Sequence, residues 1–191
     1  GMMFFTSRPV GDAMATTIWG TSSSWTLTAL PLFVWMGEIL FRTKLSENLF
    51  EGLSPWMQKL PGGLIHVNVV GCALFAAISG SSAATVATVG KMSIPELRKR
   101  NYPEKILLGS LAGSGTLGLL IPPSIILIIY GVTVQESIAK LFIAGIIPGI
   151  MIAIIFMLYV IVWSLINKKI MPENFENFSF FEKVKRSRQL I

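Results

Sequence analysis

The sequence predicts an all-α, polytopic membrane protein with a re-entrant helical hairpin and a broken transmembrane helix. Of its 191 residues, 52% are hydrophobic and only 14% are charged, whereas about a quarter of the residues in soluble domains are charged. The mean hydropathy is +0.66. Short charged segments separate uncharged runs at 13–37, 60–90, 106–135 and 141–167, and each run reaches the ~20 residues that cross a bilayer core.

Positive charge predicts the orientation of these runs. Segments 42–60, 91–105 and 168–191 hold three, five and six Lys or Arg residues, whereas 1–17 and 132–140 hold one each. Because loops rich in Lys and Arg stay in the cytoplasm, we expect the three basic segments inside and the other two outside. The predicted elements are, in order, an N-terminal segment (1–17), a transmembrane helix (18–41), a cytoplasmic loop (42–60), a re-entrant hairpin (61–95), a discontinuous transmembrane helix (104–132), an external connector (133–140), a transmembrane helix (141–167) and a cytoplasmic or interfacial tail (168–191).

Residues 61–95 are predicted to re-enter because they lie between two cytoplasmic segments. The uncharged part of the second arm, 81–90, is about ten residues long, or roughly 15 Å of helix, half of a ~30 Å hydrocarbon core. The alternative, a single full span, would place all five basic residues of 91–105 outside. The small residues "SGSSAAT" at 79–85 permit a turn, and backbone without helical partners is tolerated at that depth only where it is buried in protein or lines a polar cavity. The tip is therefore a candidate binding site.

The helix predicted over 104–132 should break in its middle. It holds glycines at 109, 113, 115 and 118 and the pair Pro122-Pro123. Proline removes a helical hydrogen bond and pushes the preceding residue out of the helical conformation. Because proline is favoured in a first helical turn, we expect the helix to restart near Pro123.

Two breaks at mid-membrane are typical of the discontinuous helices that form ion and substrate sites in secondary transporters. Freed carbonyl and hydroxyl oxygens suit a hard cation such as sodium, and helix N-termini at 82–85 and 123–125 favour an anion such as a carboxylate. The alternative is that Gly and Ser only let helices pack closely, as small residues four apart do in membranes. We favour packing for Gly145 and Gly149, and binding for 79–85 and 113–123.

Other functions find little support in the residue inventory. The single His, the single Cys and the lack of a complete phosphate loop or nucleophile elbow argue against an enzyme. The basic residues flank apolar runs and form no face of their own, which argues against nucleic-acid binding. Glu38 is either a functional intramembrane acid or the partner of Arg42 in an i, i+4 ion pair.

The strings "LPGGLIHVNVVGCALFAAISGSSAATVATVGKM", "GSLAGSGTLGLLIPPSIILIIYG" and "LFIAGIIPGI" resemble the large membrane (M) subunit of tripartite ATP-independent periplasmic (TRAP) transporters. "LTALPLFVWMGEIL" upstream is also similar. The resemblance implies a multi-pass permease of the bacterial inner membrane that imports organic acids, such as dicarboxylates or sialic acid, by sodium symport and an elevator mechanism. It implies three protein partners besides the lipid bilayer: a periplasmic substrate-binding protein, a small membrane subunit and the missing second half of the permease. Sodium would be the coupling ion, with no other cofactor.

In that family two inverted repeats make up the subunit, and this chain resembles about one repeat unit, so we expect a fragment. The resemblance places sodium on residues of the tip and the broken helix: Gly80, Ser81, Ser82, Gly115 and Thr116. It places the substrate on an overlapping set: Ser82, Ala83, Thr85, Gly118, Pro122, Pro123 and Ser124. Two alternatives stay open, a membrane scaffold that does not transport and a related anion carrier that needs no binding protein.

Overall fold

The computed structural model describes residues 9–23, 25–43 and 52–172, and these residues form helices joined by turns, with no strand among them. The all-α prediction is confirmed. The predicted tail beyond 172, the first eight residues and part of the loop at 42–60 lie outside the described residues. The helices are α1 (Val10–Ser22), α2 (Trp25–Phe41), α3 (52–57), α4 (Ile65–Ser79), α5 (Ser82–Lys99), α6 (Glu104–Gly115), α7 (Leu117–Leu120), α8 (Ile125–Val134) and α9 (Ile138–Ile166), followed by a 3-10 turn, Lys168–Ile170.

Helices α4 and α5 form an antiparallel hairpin with a two-residue turn. Gly80 ends α4 in the left-handed conformation, with φ of 57°, and Ser81 is extended and caps α5. Residues near the turn on one arm meet residues near the turn on the other, as Phe75 meets Val89, while Val67 meets Leu97 near the open end. Helix α5 continues to Lys99, beyond the predicted end of the hairpin at 95. Re-entry of this hairpin into the membrane stays a prediction.

A glycine turn leads into the first arm of the hairpin. Gly62 and Gly63 have φ of 105° and 54°, conformations that glycine adopts without steric cost. The Leu64 N–H donates to the Tyr102 hydroxyl at 3.1 Å. This hydrogen bond holds the entry of α4 against the start of α6, and burial raises the pKa of Tyr102.

The helix after the hairpin is broken near its middle. Helix α6 ends at Gly115, α7 is a single turn, and residues 121–124 are not helical. A cis peptide bond joins Pro122 to Pro123. Helix α8 starts at Ile125, within the range 123–125 expected for its N-terminus; Ser124 before it is still extended, with φ of −126° and ψ of 134°. The break therefore extends one residue, Ser124, beyond the proline pair.

Helix α9 packs along the break through its small residues. A Cβ atom on Gly149 would lie 2.9 Å from the Ile121 side chain, and one on Gly145 would lie 3.0 Å from the Leu120 carbonyl oxygen. This is the packing role expected for the two glycines. At 1.5 Å per residue, the break lies about 10–17 Å from the start of α9 and about 26–32 Å from its end.

The hydrophobic contacts bring the basic segments together at one end of the bundle. Two clusters of buried residues join α3, both hairpin ends, the start of α6 and the end of α9: Leu64, Val67, Leu97 and Leu107 with Leu53 and Met57, and Ile65, Val69, Ile106 and Val160 with Trp163 and Met171. Lys140, near the start of α9, lies at the opposite end. The described parts of the three basic segments, which are far apart in sequence, thus lie at one end of the bundle; the side of the membrane that this end faces stays a prediction.

Two stretches within the described ranges are long and apolar enough to cross a membrane: Glu104–Val134, taken across its break, and Ile138–Ile166. Leu30–Ile39 and Ile65–Ser79 are shorter apolar helices. Much of the apolar surface of α9 is uncovered, with Ile147 75% exposed and Ile166 77% exposed. Such a surface suits lipid, and the chain is an all-α membrane protein.

Candidate functional site

The hairpin tip sits directly on the break of the neighbouring helix. A Cβ atom on Gly118 would lie 2.8 Å from the Ser82 nitrogen and 2.9 Å from the Ser81 carbonyl carbon, and one on Gly80 would lie 2.7 Å from the Pro123 carbonyl oxygen. The Ile125 N–H, at the start of α8, donates to the Gly80 carbonyl at 3.4 Å. Backbone therefore meets backbone at this contact, and only glycine leaves the space for it.

Gly115, one turn before Gly118, lies against a side chain of the hairpin. A Cβ atom there would overlap the Val86 side chain and would lie 3.9 Å from the Ser82 carbonyl oxygen. Four of the predicted sodium residues, Gly80, Ser81, Ser82 and Gly115, thus lie together. Thr116 differs, because its side chain is exposed and its hydroxyl donates to the Gly113 carbonyl of its own helix at 2.7 Å.

The hydroxyl groups of the tip differ in the hydrogen bonds that they make. Ser79 and Thr85 share a buried hydrogen bond of 2.9 Å, so the Thr85 hydroxyl is used inside the tip. The Ser81 hydroxyl accepts the Ala84 N–H at 3.4 Å, which caps the second arm. The Ser82 hydroxyl oxygen is buried and has no hydrogen-bond partner within the described part of the chain. Ser82 therefore supplies the uncommitted oxygen where tip and break meet.

The remaining predicted substrate residues occupy distinct positions. Ala83 is exposed, and Pro122 and Pro123 are half-buried at the break. Ser124 is fully buried, and its hydroxyl donates to the Leu119 carbonyl at 2.8 Å. The structure thus brings Ser82, Ala83, Gly118 and Pro123 to the junction of tip and break. The Ser124 hydroxyl instead forms its hydrogen bond across the break itself.

A cleft of about 330 Å³ opens beside the tip. Its walls come from α2, the two hairpin arms and the start of α8: Val34, Gly37, Glu38, Ser79, Ser81, Ala83, Ala84, Ala87 and Ile125. The first-turn N–H groups of α5 and α8 lie at this junction, and helix N-termini carry partial positive charge. The cleft thus combines small side chains, the Ser79 and Ser81 hydroxyls and two helix N-termini, and helix N-termini favour a small anion.

The contribution of α2 was not part of the predicted site. Gly37 lies against the tip, with its Cβ position 3.5 Å from the Ser79 carbonyl oxygen, and Phe33 packs where a Gly80 side chain would be. Glu38 lines the cleft, and its carboxylate accepts the Arg42 Nε–H at 2.8 Å. The ion pair expected for Glu38 is therefore present at the edge of the cleft. The signal for this wall was Glu38 itself, the acid at the end of an otherwise apolar run.

A second hollow, of about 530 Å³, lies away from the tip. It is lined by the threonine side of α1 and by the end of α8: Thr16, Thr17, Gly20, Thr21, Gly131, Val132, Gln135 and Glu136. None of the predicted site residues borders it. Every described residue of α1 from 11 to 22 is exposed, so this hollow is a loose gap beside a weakly packed helix.

Comparison with known proteins places these features in a family. The family model described as "Tripartite ATP-independent periplasmic transporter, DctM component" matches residues 1–187. The chain is 36% identical over 156 residues to the C4-dicarboxylate TRAP transporter large permease protein of Pseudomonas aeruginosa, covering 82% of this chain and 36% of that protein. It is 38% identical over 157 residues to the 2,3-diketo-L-gulonate TRAP transporter large permease protein of Escherichia coli, covering 82% of this chain and 37% of that protein.

A third relative is the sialic acid TRAP transporter permease protein of Haemophilus influenzae, which is 39% identical over 134 residues, covering 70% of this chain and 22% of that protein. The chain thus spans about a third or less of the length of these relatives. The resemblance recognised from the sequence strings is confirmed. Because the family model matches nearly the whole chain, the protein belongs to the DctM component family of tripartite ATP-independent periplasmic transporters, which are transport proteins and not enzymes.

Proposed function

We propose that this chain forms part of the permease subunit of a sodium-coupled symporter that imports organic acids across the bacterial inner membrane. A periplasmic binding protein would deliver the acid, and a small membrane subunit would complete the transporter. The observation that carries the proposal is the backbone contact between the hairpin tip and the break, at Gly80, Ser82 and Gly118. Breaks of this kind supply ion and substrate sites in secondary transporters.

For sodium, the junction of tip and break supplies oxygen atoms and leaves no space for large side chains. The Ser82 hydroxyl is buried without a partner, and an unpartnered buried polar group costs about 1–3 kcal/mol. A bound cation would remove that cost. We therefore place the transported sodium ion beside Ser82, with carbonyl oxygens of the tip and the break as further ligands.

For the organic acid, the electrostatics of the cleft favour a carboxylate. The N-termini of α5 and α8 meet at the cleft, with Ile125 bonded to the Gly80 carbonyl, and each helix N-terminus attracts negative charge. Glu38, the acid that lines the cleft, is paired with Arg42, which reduces its repulsion of an anion. The names of the relatives, a C4-dicarboxylate and a sialic acid permease among them, include such acids.

An elevator mechanism requires the site to move as a unit, and the packing of the tip supports this. Cys72 and Phe75 of α4, Val89 of α5 and Leu111 of α6 form one buried cluster below the tip. The two hairpin arms and the first half of the broken helix are thereby joined. We propose that these three helices move together and carry the site between the two faces of the membrane.

The test is sodium-dependent uptake by the permease that carries this segment, reconstituted in liposomes with its small subunit and binding protein. Ser82→Ala removes the uncommitted hydroxyl, and we expect the half-saturating sodium concentration to rise by about tenfold, the equivalent of ~1.4 kcal/mol. Thr133→Ala is the matched control, because its hydroxyl donates only to Ile129 of its own helix.

Thr133→Ala should leave the sodium dependence unchanged. If Ser82→Ala also leaves it unchanged, the sodium assignment is wrong. If the unmodified permease takes up organic acids at the same rate without sodium, the coupling is wrong. If it assembles with its subunits but takes up no organic acid, a scaffold role replaces the proposal.

A further inference from the structure

One end of the helix bundle carries a group of exposed lysines. The buried clusters around Leu97 and Val160 bring α3, the hairpin ends, the start of α6 and the end of α9 to this end. We call it the lysine end, and define it by five exposed residues: Lys59, Lys99, Lys105, Lys168 and Lys169. The fold brings these five lysines from separate segments of the sequence to one end of the bundle.

Among the described residues, the two acidic side chains near the lysine end are paired with arginines. Glu104 accepts from Arg98 at 2.8 Å, and Glu96 accepts from Arg100 at 2.8 Å. The five lysines have no ion pair within the ranges that the structure describes. The uncompensated positive charge at this end therefore belongs to the lysines, and Arg98 and Arg100 add little to it.

The lysines border an exposed apolar surface. Leu108 lies one turn after Lys105, and Leu165, Ile166 and Ile170 flank the pair Lys168 and Lys169; all four apolar side chains are exposed. Helix α9 has 29 residues, about 43 Å, which exceeds a ~30 Å hydrocarbon core. Its last turn and the two lysines therefore reach the headgroup region when the helix spans the bilayer.

We propose that the lysine end binds the headgroups of anionic phospholipids, with Lys105, Lys168 and Lys169 as the phosphate-contacting residues and the exposed apolar side chains as the surface for the acyl chains. Lipid fits better than a soluble anion, because the charges sit at the rim of an exposed apolar surface. A phosphate held there would lie between α6 and α9, and so between the moving unit of the proposed transporter and its neighbour.

The experiment uses the permease that carries this segment, purified in a neutral detergent with its small subunit. The midpoint of thermal unfolding is measured against dioctanoyl-phosphatidylglycerol, dioctanoyl-phosphatidylcholine and glycerol 3-phosphate. Phosphatidylglycerol should raise the midpoint in a saturable way, and the other two compounds should not. Each lysine near an anionic lipid contributes about a fivefold change in affinity, so Lys105→Gln, Lys168→Gln and Lys169→Gln combined should weaken apparent binding by about a hundredfold.

Two matched variants separate charge and position from other effects. Replacing the same three lysines by arginine keeps the charge and should keep the binding. Lys140→Gln removes a lysine near the opposite end of α9 and should also keep it. If the triple glutamine variant gives no monodisperse protein, the three single variants are measured, each with about a fivefold loss expected.

The proposal is overturned if the glutamine variants bind phosphatidylglycerol as well as the unmodified protein does. It is also overturned if Lys140→Gln weakens binding as much as Lys105→Gln does. A response to glycerol 3-phosphate as large as the response to the lipid would assign the lysines to a soluble anion. No response to phosphatidylglycerol would likewise overturn the proposal.

Discussion

Gly118→Ala is the substitution that most directly tests the contact between tip and break. The added Cβ atom would lie 2.8 Å from the Ser82 nitrogen, 2.9 Å from the Ser81 carbonyl carbon and 3.0 Å from the Ser82 Cα. All three neighbours are backbone atoms of the tip, so no side-chain rotation relieves the overlap. The tip must move away from the break, or the break must shift.

The expected cost follows from overpacking. Inserting a methyl group into a packed site costs about 1–3 kcal/mol, and the better helix propensity of alanine returns up to about 1 kcal/mol. Gly109→Ala is the control on the same broken helix, because nothing lies within 4 Å of its Cβ position. Gly109→Ala gains helix propensity without a steric clash. The free energies of unfolding of the two variants should therefore differ by about 2 kcal/mol, with Gly118→Ala the less stable.

The measurement is the thermal unfolding midpoint of the purified permease, with sodium-driven uptake as the second readout. Gly118→Ala should lower the midpoint and reduce uptake at least tenfold, whereas Gly109→Ala should leave uptake unchanged and raise the midpoint or leave it unchanged. Equal midpoints and equal uptake for both variants would refute the close backbone contact. A lower midpoint with normal uptake would keep the contact and refute its role in transport.

Two further predictions concern the hairpin. The Ser93 hydroxyl is fully buried without a hydrogen-bond partner in the described ranges, so Ser93→Ala should leave stability unchanged or raise it by up to about 1 kcal/mol; a loss larger than that in thermal unfolding would show that the hydroxyl has a partner. With Cys72 replaced, cysteines at Lys59 and Arg98 should not react with an impermeant thiol reagent added to intact cells, while one at Gln135 should; labelling at Arg98 but not at Lys59 would mean that residues 61–90 span the membrane.

The two breaks in the helices could be predicted because local chemistry decides them. Gly80 adopts a left-handed conformation that other residues avoid, and the proline pair removes helical hydrogen bonds wherever it lies. The exact restart of α8 was less predictable. Proline at 123 satisfies the rules for a first helical turn, yet the Ser124 hydroxyl donates to the Leu119 carbonyl and Ser124 itself stays extended.

Apart from Glu38, the sequence of α2 does not mark the face that contacts the tip, so the rest of this wall of the cleft could not be predicted. Residues 25–36 are apolar or uncharged on every side, and periodicity then gives no direction. Only the structure shows that Phe33 and Gly37 face the tip. Likewise, the sequence did not show that the Thr116 hydroxyl donates to the Gly113 carbonyl, a local choice that threonine often makes in helices; its role as a sodium ligand stays a prediction.

Close packing of the small residues and the proposed ligand binding depend on the same short distances between segments. Gly80, Gly115 and Gly118 each lie where a Cβ atom would meet atoms from another segment: Gly80 meets the break and α2, and Gly115 and Gly118 meet the hairpin. That closeness is what brings the buried Ser82 hydroxyl to the break, with the Gly80 carbonyl bonded at the start of α8. A larger residue at any of the three positions would push these polar groups apart. The glycines therefore contribute to the candidate site by letting its segments approach each other closely.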